Sequence, residues 1–231
     1  MRRHDPWDLG CKQFSEQRCG MSDSEEFIHR FVPGRSSRTL VLLHGTGGTE
    51  TDLLSLGQEL DSDAALLSPR GKVLENGMPR FFRRLAEGVF DEKDLIQRTH
   101  ELADFIAAAA VRYGFKQTES IAVGYSNGAN IAASLLLLRP GTFYGAALWR
   151  AMVPLVPDKL PELNGAPVFL AAGEHDPIIP SENVRRLSAL LERAGANVTL
   201  TVENAGHRVT QNTIERTRRW LAQISREPGR S

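Results

Sequence analysis

The stretch Ser120-Ile121-Ala122-Val123-Gly124-Tyr125-Ser126-Asn127-Gly128-Ala129-Asn130-Ile131 decides the fold. Its first half is a short apolar run and reads as a strand over Ser120–Tyr125. Its second half opens Asn127–Leu138, which is apolar on nearly every side and reads as a buried helix. Between them Gly-x-Ser-x-Gly must turn sharply. Such a strand-to-helix turn strains the backbone of Ser126 and lifts its hydroxyl clear of the sheet, while the small residues two before and two after let strand and helix approach. The helix N-terminus favours negative charge at the same point. Ser126 is the candidate nucleophile. The competing reading is a plain glycine-rich turn, and the flanking strand and helix weigh against it.

Outward from this point the chain alternates. Upstream, Phe27–Val32 reads as a short edge strand ended by Pro33-Gly34. Thr39–His44 reads as a strand buried on both faces, residues 50–60 as a helix, and Ala64–Ser68 as a strand stopped at Pro69. Residues 70–91 form a long segment rich in Gly, Arg and Phe, a length that implies a function or local folding. Leu95–Tyr113 is an amphipathic helix with Gly114 at its C-terminal cap. Downstream come strands at Ala146–Met152, Val168–Ala172 and Val198–Val202. A helix capped by Ser181 runs to Ala194, and a closing helix covers 209–225. Alternating strands and helices predict an α/β domain over 26–231, with a mostly parallel central sheet of about seven strands covered by helices on both faces.

A serine hydroxyl is a weak nucleophile and needs a base, which in turn needs a carboxylate to hold its tautomer. His207 follows the last strand and precedes the last helix, which makes it the best candidate of six histidines. Asp176 follows the strand Val168–Ala172, so the order along the chain is Ser, Asp, His. Glu174 is the rival carboxylate. A tetrahedral intermediate needs aligned backbone donors. Asn127 N–H is one, and the loop His44-Gly45-Thr46-Gly47-Gly48 supplies the other, best assigned to Thr46. That loop is not a P-loop, since no Gly-Lys-[Ser/Thr] follows, and Glu50 stands where a dinucleotide fingerprint needs its third glycine. His44 reads as a structural hydrogen-bonding residue.

Composition excludes several classes. The 28 basic and 28 acidic residues balance, which gives no support for nucleic-acid binding. No run of eighteen apolar residues predicts a membrane span, and no apolar region follows Arg2-Arg3 as a secretion signal requires. Cys11 and Cys19 are too few for a disulfide framework, so a cytoplasmic setting is expected. Residues 1–25 read as an irregular extension, with Met21 as an alternative start. No metal-binding spacing is present, and neither metal nor cofactor is expected. A homodimer is the fallback expectation for assembly.

Five separated blocks together resemble a known family: Leu43–Gly48 with Asp52-Leu53-Leu54, Ser68–Gly71, Gly124–Gly128, Gly173…Asp176-Pro177…Pro180, and Gly206-His207. They are similar to the phospholipase/carboxylesterase family of small α/β-hydrolases, from about residue 26 to 225. The resemblance implies the α/β-hydrolase fold, a triad of Ser126, Asp176 and His207, an oxyanion hole from Thr46 and Asn127, and hydrolysis of a small-molecule ester without a cofactor. The thioesterase branch usually carries glutamine where this chain has Asn127. Asn76–Arg84 and Arg150–Pro154 look more like the bacterial carboxylesterase branch. By analogy Arg70, Met78, Phe81, Phe82 and Met152 would touch substrate. Thioesterase or lysophospholipase activity on the same triad, or a non-catalytic ligand-binding member of the fold, are the competing readings.

Overall fold

A computed structural model describes residues 27–224, so the expected extension over 1–25, with both cysteines, lies outside the described residues. Seven strands form the central sheet: β1 (His29–Val32), β2 (Thr39–Leu43), β3 (Ala65–Pro69), β8 (Ser120–Tyr125), β9 (Gly145–Trp149), β10 (Pro167–Gly173) and β11 (Asn197–Glu203). Four further strands build two hairpins between β3 and β8: β4 (Val73–Glu75) with β5 (Met78–Arg80), and β6 (Arg84–Ala86) with β7 (Val89–Phe90). The sheet order is β1-β3-β2-β8-β9-β10-β11. Only the edge strand β1 runs antiparallel to its neighbour, and every other pairing is parallel. This is the α/β-hydrolase architecture expected from the sequence.

The parallel pairings explain the continuous apolar runs. A strand residue faces one side of the sheet and its successor the other, so both sides need apolar side chains. Along β2, Val41 and Leu43 enter one core while Leu40 and Leu42 enter the other. Along β10, Val168, Leu170 and Ala172 oppose Phe169 and Ala171 in the same way. Helices α2 (Glu92–Tyr113), α3 (Asn127–Leu138) and α4 (Ser181–Arg193) cover the first face. Helices α1 (Leu54–Leu60) and α5 (Gln211–Ile224) cover the second.

Four departures from the expected elements have local causes. Helix α2 starts three residues earlier than its periodicity shows, because the Asp91 side chain accepts from Asp94 N–H and caps it. Helix α4 has Pro180 rather than Ser181 at its N-cap, with no side-chain cap. Strand β9 stops at Trp149 instead of Met152, because Arg150 turns into the left-handed region at φ +54. Half of the long segment 70–91 is hairpin strand, and Asn76 and Gly77, both at positive φ, close β4–β5 in a tight turn.

Candidate active site

Everything that converges on Ser126 sits at the C-terminal ends of parallel strands, where open α/β sheets place their crevice. The turn at Ser126 is steric in origin. Its backbone stands at φ 51 and ψ −113, outside the usual wells for a serine. A Cβ on Gly128 would stand 2.0 Å from the Leu43 carbonyl oxygen, and one on Gly124 2.7 Å from Ala129 backbone. Helix α3 can therefore cross β2 and β8 this closely only with glycine at those positions. Ser126 N–H is held by the Trp149 carbonyl at 2.9 Å, which fixes the turn against the end of β9.

The Ser126 hydroxyl lies 3.0 Å from His207 Nε2 and donates to it, while His207 Nδ1–H donates to Asp176 Oδ2 at 2.8 Å. The second Asp176 oxygen accepts from Ile178 N–H and Ile179 N–H, at 2.9 and 3.0 Å. The carboxylate is 1% exposed and His207 17%, so the chain of three is shielded yet open at the serine. Glu174, the rival carboxylate, is exposed and makes its backbone bond to the Glu203 carbonyl instead.

Thr46 and Asn127 flank Ser126 in the cavity wall. Of the loop amides near them, Gly47 N–H is already committed to the Pro79 carbonyl at 2.9 Å, which leaves Thr46 better placed to serve an oxyanion. One segment, Pro79-Arg80-Phe81, braces both residues. Arg80 Nη1 donates to Thr46 Oγ1 at 2.6 Å, and Phe81 N–H donates to Asn127 Oδ1 at 2.8 Å. Asn127 Nδ2 is buried without a hydrogen-bond partner among the described residues.

His44 lies buried behind this loop. Its Nδ1–H donates to the Gly45 carbonyl, and Nε2 accepts from Gly71 N–H at 3.0 Å, so both ring nitrogens are committed to backbone and the neutral tautomer is fixed. Burial pushes its pKa below the ordinary value, outweighing the Gly45 carbonyl and nearby carboxylates.

The cavity beside Ser126 measures about 250 Å³ and mixes apolar walls (Phe90, Met152, Ile178, Ile179) with polar ones (Arg80, Arg84, Glu87, Asn130). Of the residues expected to touch substrate, Met152 lines it, its N–H held by Asn130 Oδ1 at 2.9 Å. The other four do not. Arg70 is turned to Glu50, with Nε 2.6 Å from the carboxylate. Phe81 and Phe82 are core residues, packed on His44 and Phe90. Met78 is exposed and packs beside Gly47. The sequence reading missed Arg80 and Arg84 as single lining residues, though it pointed to their stretch. The Asn76-Gly77 turn was the available signal, since a hairpin closing there swings Arg80 back toward the loop that carries Thr46.

A larger cavity of about 470 Å³, between Ser36–Arg38, Asp61, Asp63 and Glu119, opens at the N-terminal strand ends and holds no serine–histidine pair. Among the described residues no group of three or more His, Cys, Asp or Glu is placed to hold a metal ion. Likewise no described helix is long and apolar enough to cross a membrane.

The arrangement can move a proton from a serine to a histidine and stabilise an anion beside it. Comparisons with known proteins agree with that chemistry. The phospholipase/carboxylesterase family model matches residues 33–225. MhqD of Bacillus subtilis (strain 168), a hydrolase by name, is 52% identical over 192 residues, which are 83% of this chain and 96% of that protein. The crystal structure of a Bacillus cereus carboxylesterase superposes with a TM-score of 0.83 at 52% identity, covering 84% of this chain and 93% of that one. A carboxylesterase from Mesorhizobium loti gives 0.81 at 33% identity, covering 87% and 97%.

Proposed function

The chain belongs to the phospholipase/carboxylesterase family of α/β-hydrolases, and from that premise we propose that it hydrolyses small or medium-sized carboxylic esters through an acyl-enzyme on Ser126. The observation that carries the proposal is the unbroken hydrogen-bonded line from Ser126 Oγ through His207 to Asp176. His207 Nε2 takes the hydroxyl proton as Ser126 Oγ attacks the ester carbonyl carbon. The carbonyl oxygen becomes an oxyanion, held by Thr46 and Asn127 N–H. The ester C–O bond then breaks, and His207 delivers its proton to the departing alkoxide. Water adds to the acyl-enzyme by the same route, releasing the acid and restoring Ser126. Asp176 orients the imidazole and balances its charge.

The cavity supports the size class. About 250 Å³ lies just below the roughly 300–1,000 Å³ of drug-sized ligand pockets. A short acyl group or compact alcohol fits it, while a long lipid chain would have to run along the surface. That favours a carboxylesterase over a lysophospholipase.

The test is labelling with a fluorophosphonate probe, followed by a panel of p-nitrophenyl esters and matching thioesters from acetyl to palmitoyl. Labelling of the wild type and none of Ser126→Ala is expected, with activity highest on short oxygen esters. An unlabelled wild type, or an equally labelled Ser126→Ala, would sink the acyl-enzyme. Preference for long chains or thioesters would replace the substrate class.

A further inference from the structure

Among the described residues the two largest fully buried side chains are neighbours, Trp149 and Arg150, and the second is a cation that does not line the cavity. In the stretch Arg150–Pro154, sequence resemblance singled out Met152 and passed over Arg150. The structure sends the Arg150 side chain away from the cavity and beneath the base. Its guanidinium is 0% exposed. Nε donates to the Gly206 carbonyl at 3.0 Å and Nη2 to the Arg208 carbonyl at 2.9 Å, the two carbonyls that flank His207. Nη1 donates to the Ala171 carbonyl at 3.1 Å, and Nη2 also meets Glu203 Oε1 at 2.9 Å. The carbonyl of His207 itself accepts from the Tyr125 hydroxyl at 3.3 Å.

The same strand end holds the nucleophile. Trp149 supplies the carbonyl that fixes Ser126 N–H, and Arg150 N–H donates to the Ala171 carbonyl at 2.8 Å. Two consecutive residues thus touch the serine turn through backbone and the histidine loop through a side chain. The geometry uses what only arginine offers: a rigid planar fork whose donors span carbonyls on both sides of one residue. A lysine ammonium is a single point and cannot bridge them. The left-handed backbone at Arg150, unfavourable for any residue but glycine, is what turns the side chain under the loop.

We propose that Arg150 is a positioning residue for His207, clamping the carbonyls on either side of it so that Nε2 stays within reach of the Ser126 hydroxyl. The inference rests on the triad reading above. The alternative is that Arg150 serves only as the buried partner of Glu203, and the two make different predictions.

Four variants separate them: Arg150→Lys, Arg150→Met, Glu203→Gln, and the double variant Arg150→Met with Glu203→Gln. Each is compared with wild type for kcat and KM on a short p-nitrophenyl ester, rate of fluorophosphonate labelling, and thermal midpoint. Clamping predicts that both Arg150 replacements lower kcat and labelling rate by about 10²-fold, the cost of an ångström-scale misplacement, with KM held within about twofold. The double variant regains thermal midpoint over Arg150→Met, because no carboxylate is left without its cation, yet stays slow. Glu203→Gln keeps the carbonyl contacts and most of its kcat. Recovery of kcat together with stability in the double variant, or an Arg150→Lys enzyme as fast as wild type, would overturn the clamp. If the methionine variants do not fold, the lysine variant decides alone. A wild type that the probe fails to label would instead bring down the triad reading itself.

Discussion

Ser126 and His207 meet within one hydrogen bond, yet they are held there by opposite means. The nucleophile half is set by close backbone packing: Gly124 and Gly128 let α3 press onto β2 and β8, and the surrounding contacts of Ser126, Gly45 and His44 are neutral. The base half is set by charge. Arg150 and Glu203 lie under the loop that carries His207, and the Glu203 carboxylate also accepts from Thr210, Thr213 and Asn212. Steric fixation rests on two glycines of the turn itself, pressed against strand backbone. Ionic fixation gathers residues from β9, β11 and α5, and it depends on pH.

The largest effect should come from breaking the steric half. In Gly128→Ala the new Cβ meets backbone oxygens of Leu43 and His44, which cannot move without shifting a central strand. A loss above about 4 kcal/mol is expected, seen as a thermal midpoint lowered by about 10 °C or more. A variant that melts like wild type would mean that the elbow is less tightly packed than described.

Next is the ionic half. Burial alone would raise the Glu203 pKa, but hydrogen bonds from Thr213, Thr210, Arg150 and Asn212 outweigh it and hold it down at about 2, against 4.5 unperturbed. A depressed carboxylate stabilises the fold fully above 4.5, and this is lost as pH falls toward 2. The linked contribution is on the order of 3 kcal/mol. Thermal midpoint followed from pH 5 to pH 2 should fall steeply in wild type and less steeply in Glu203→Gln. Parallel curves would place the acid sensitivity elsewhere.

His44 reverses the expectation that the neutral half ignores pH. Its pKa is lowered by burial, so the unfolded chain takes up a proton below 6.5 before the native one does. Stability therefore begins to decline under pH 6.5, earlier than Glu203 is felt. His44→Ala should remove that shallow limb and leave Gly71 N–H without its acceptor, at about 1–3 kcal/mol. A limb that survives in His44→Ala would assign it to another histidine. The smallest effect is expected from Thr46→Val, which takes one acceptor from Arg80 but keeps the Thr46 backbone amide proposed to hold the oxyanion. About 1 kcal/mol of stability and less than a tenfold fall in kcat/KM on a short ester are expected. A larger fall would give the hydroxyl itself a part in the chemistry.

The same contrast governs what could be read from sequence. Ser126 was legible because five adjacent residues and their flanks contain the whole argument. His207 and Asp176 were legible only through chain order and family resemblance, and Glu174 could be set aside only when Asp176 was seen to reach the imidazole. Arg150 was not singled out, because its partners lie 21 to 58 residues further along the chain. Phe81 and Phe82 were assigned to substrate by analogy with the bacterial carboxylesterase branch, and both are core residues. The hairpin that buries them was announced by Asn76-Gly77, a signal overlooked beside the motifs that carry chemistry.

Among the described residues the segment between β3 and α2 hangs from five backbone points: Arg70 on Ile28, Gly71 on His44, Pro79 on Gly47, Phe81 on Asn127, and Arg83 on Asp94. For anyone wishing to exchange specificity within the family, those points are the seams. None of those points falls in the turns at 74–78 or 84–89, where Leu74, Leu85 and Val89 face outward. A graft confined to those turns can bring new pocket walls with Thr46 and Asn127 still braced, whereas one cut across the seams would carry off those braces along with the loop.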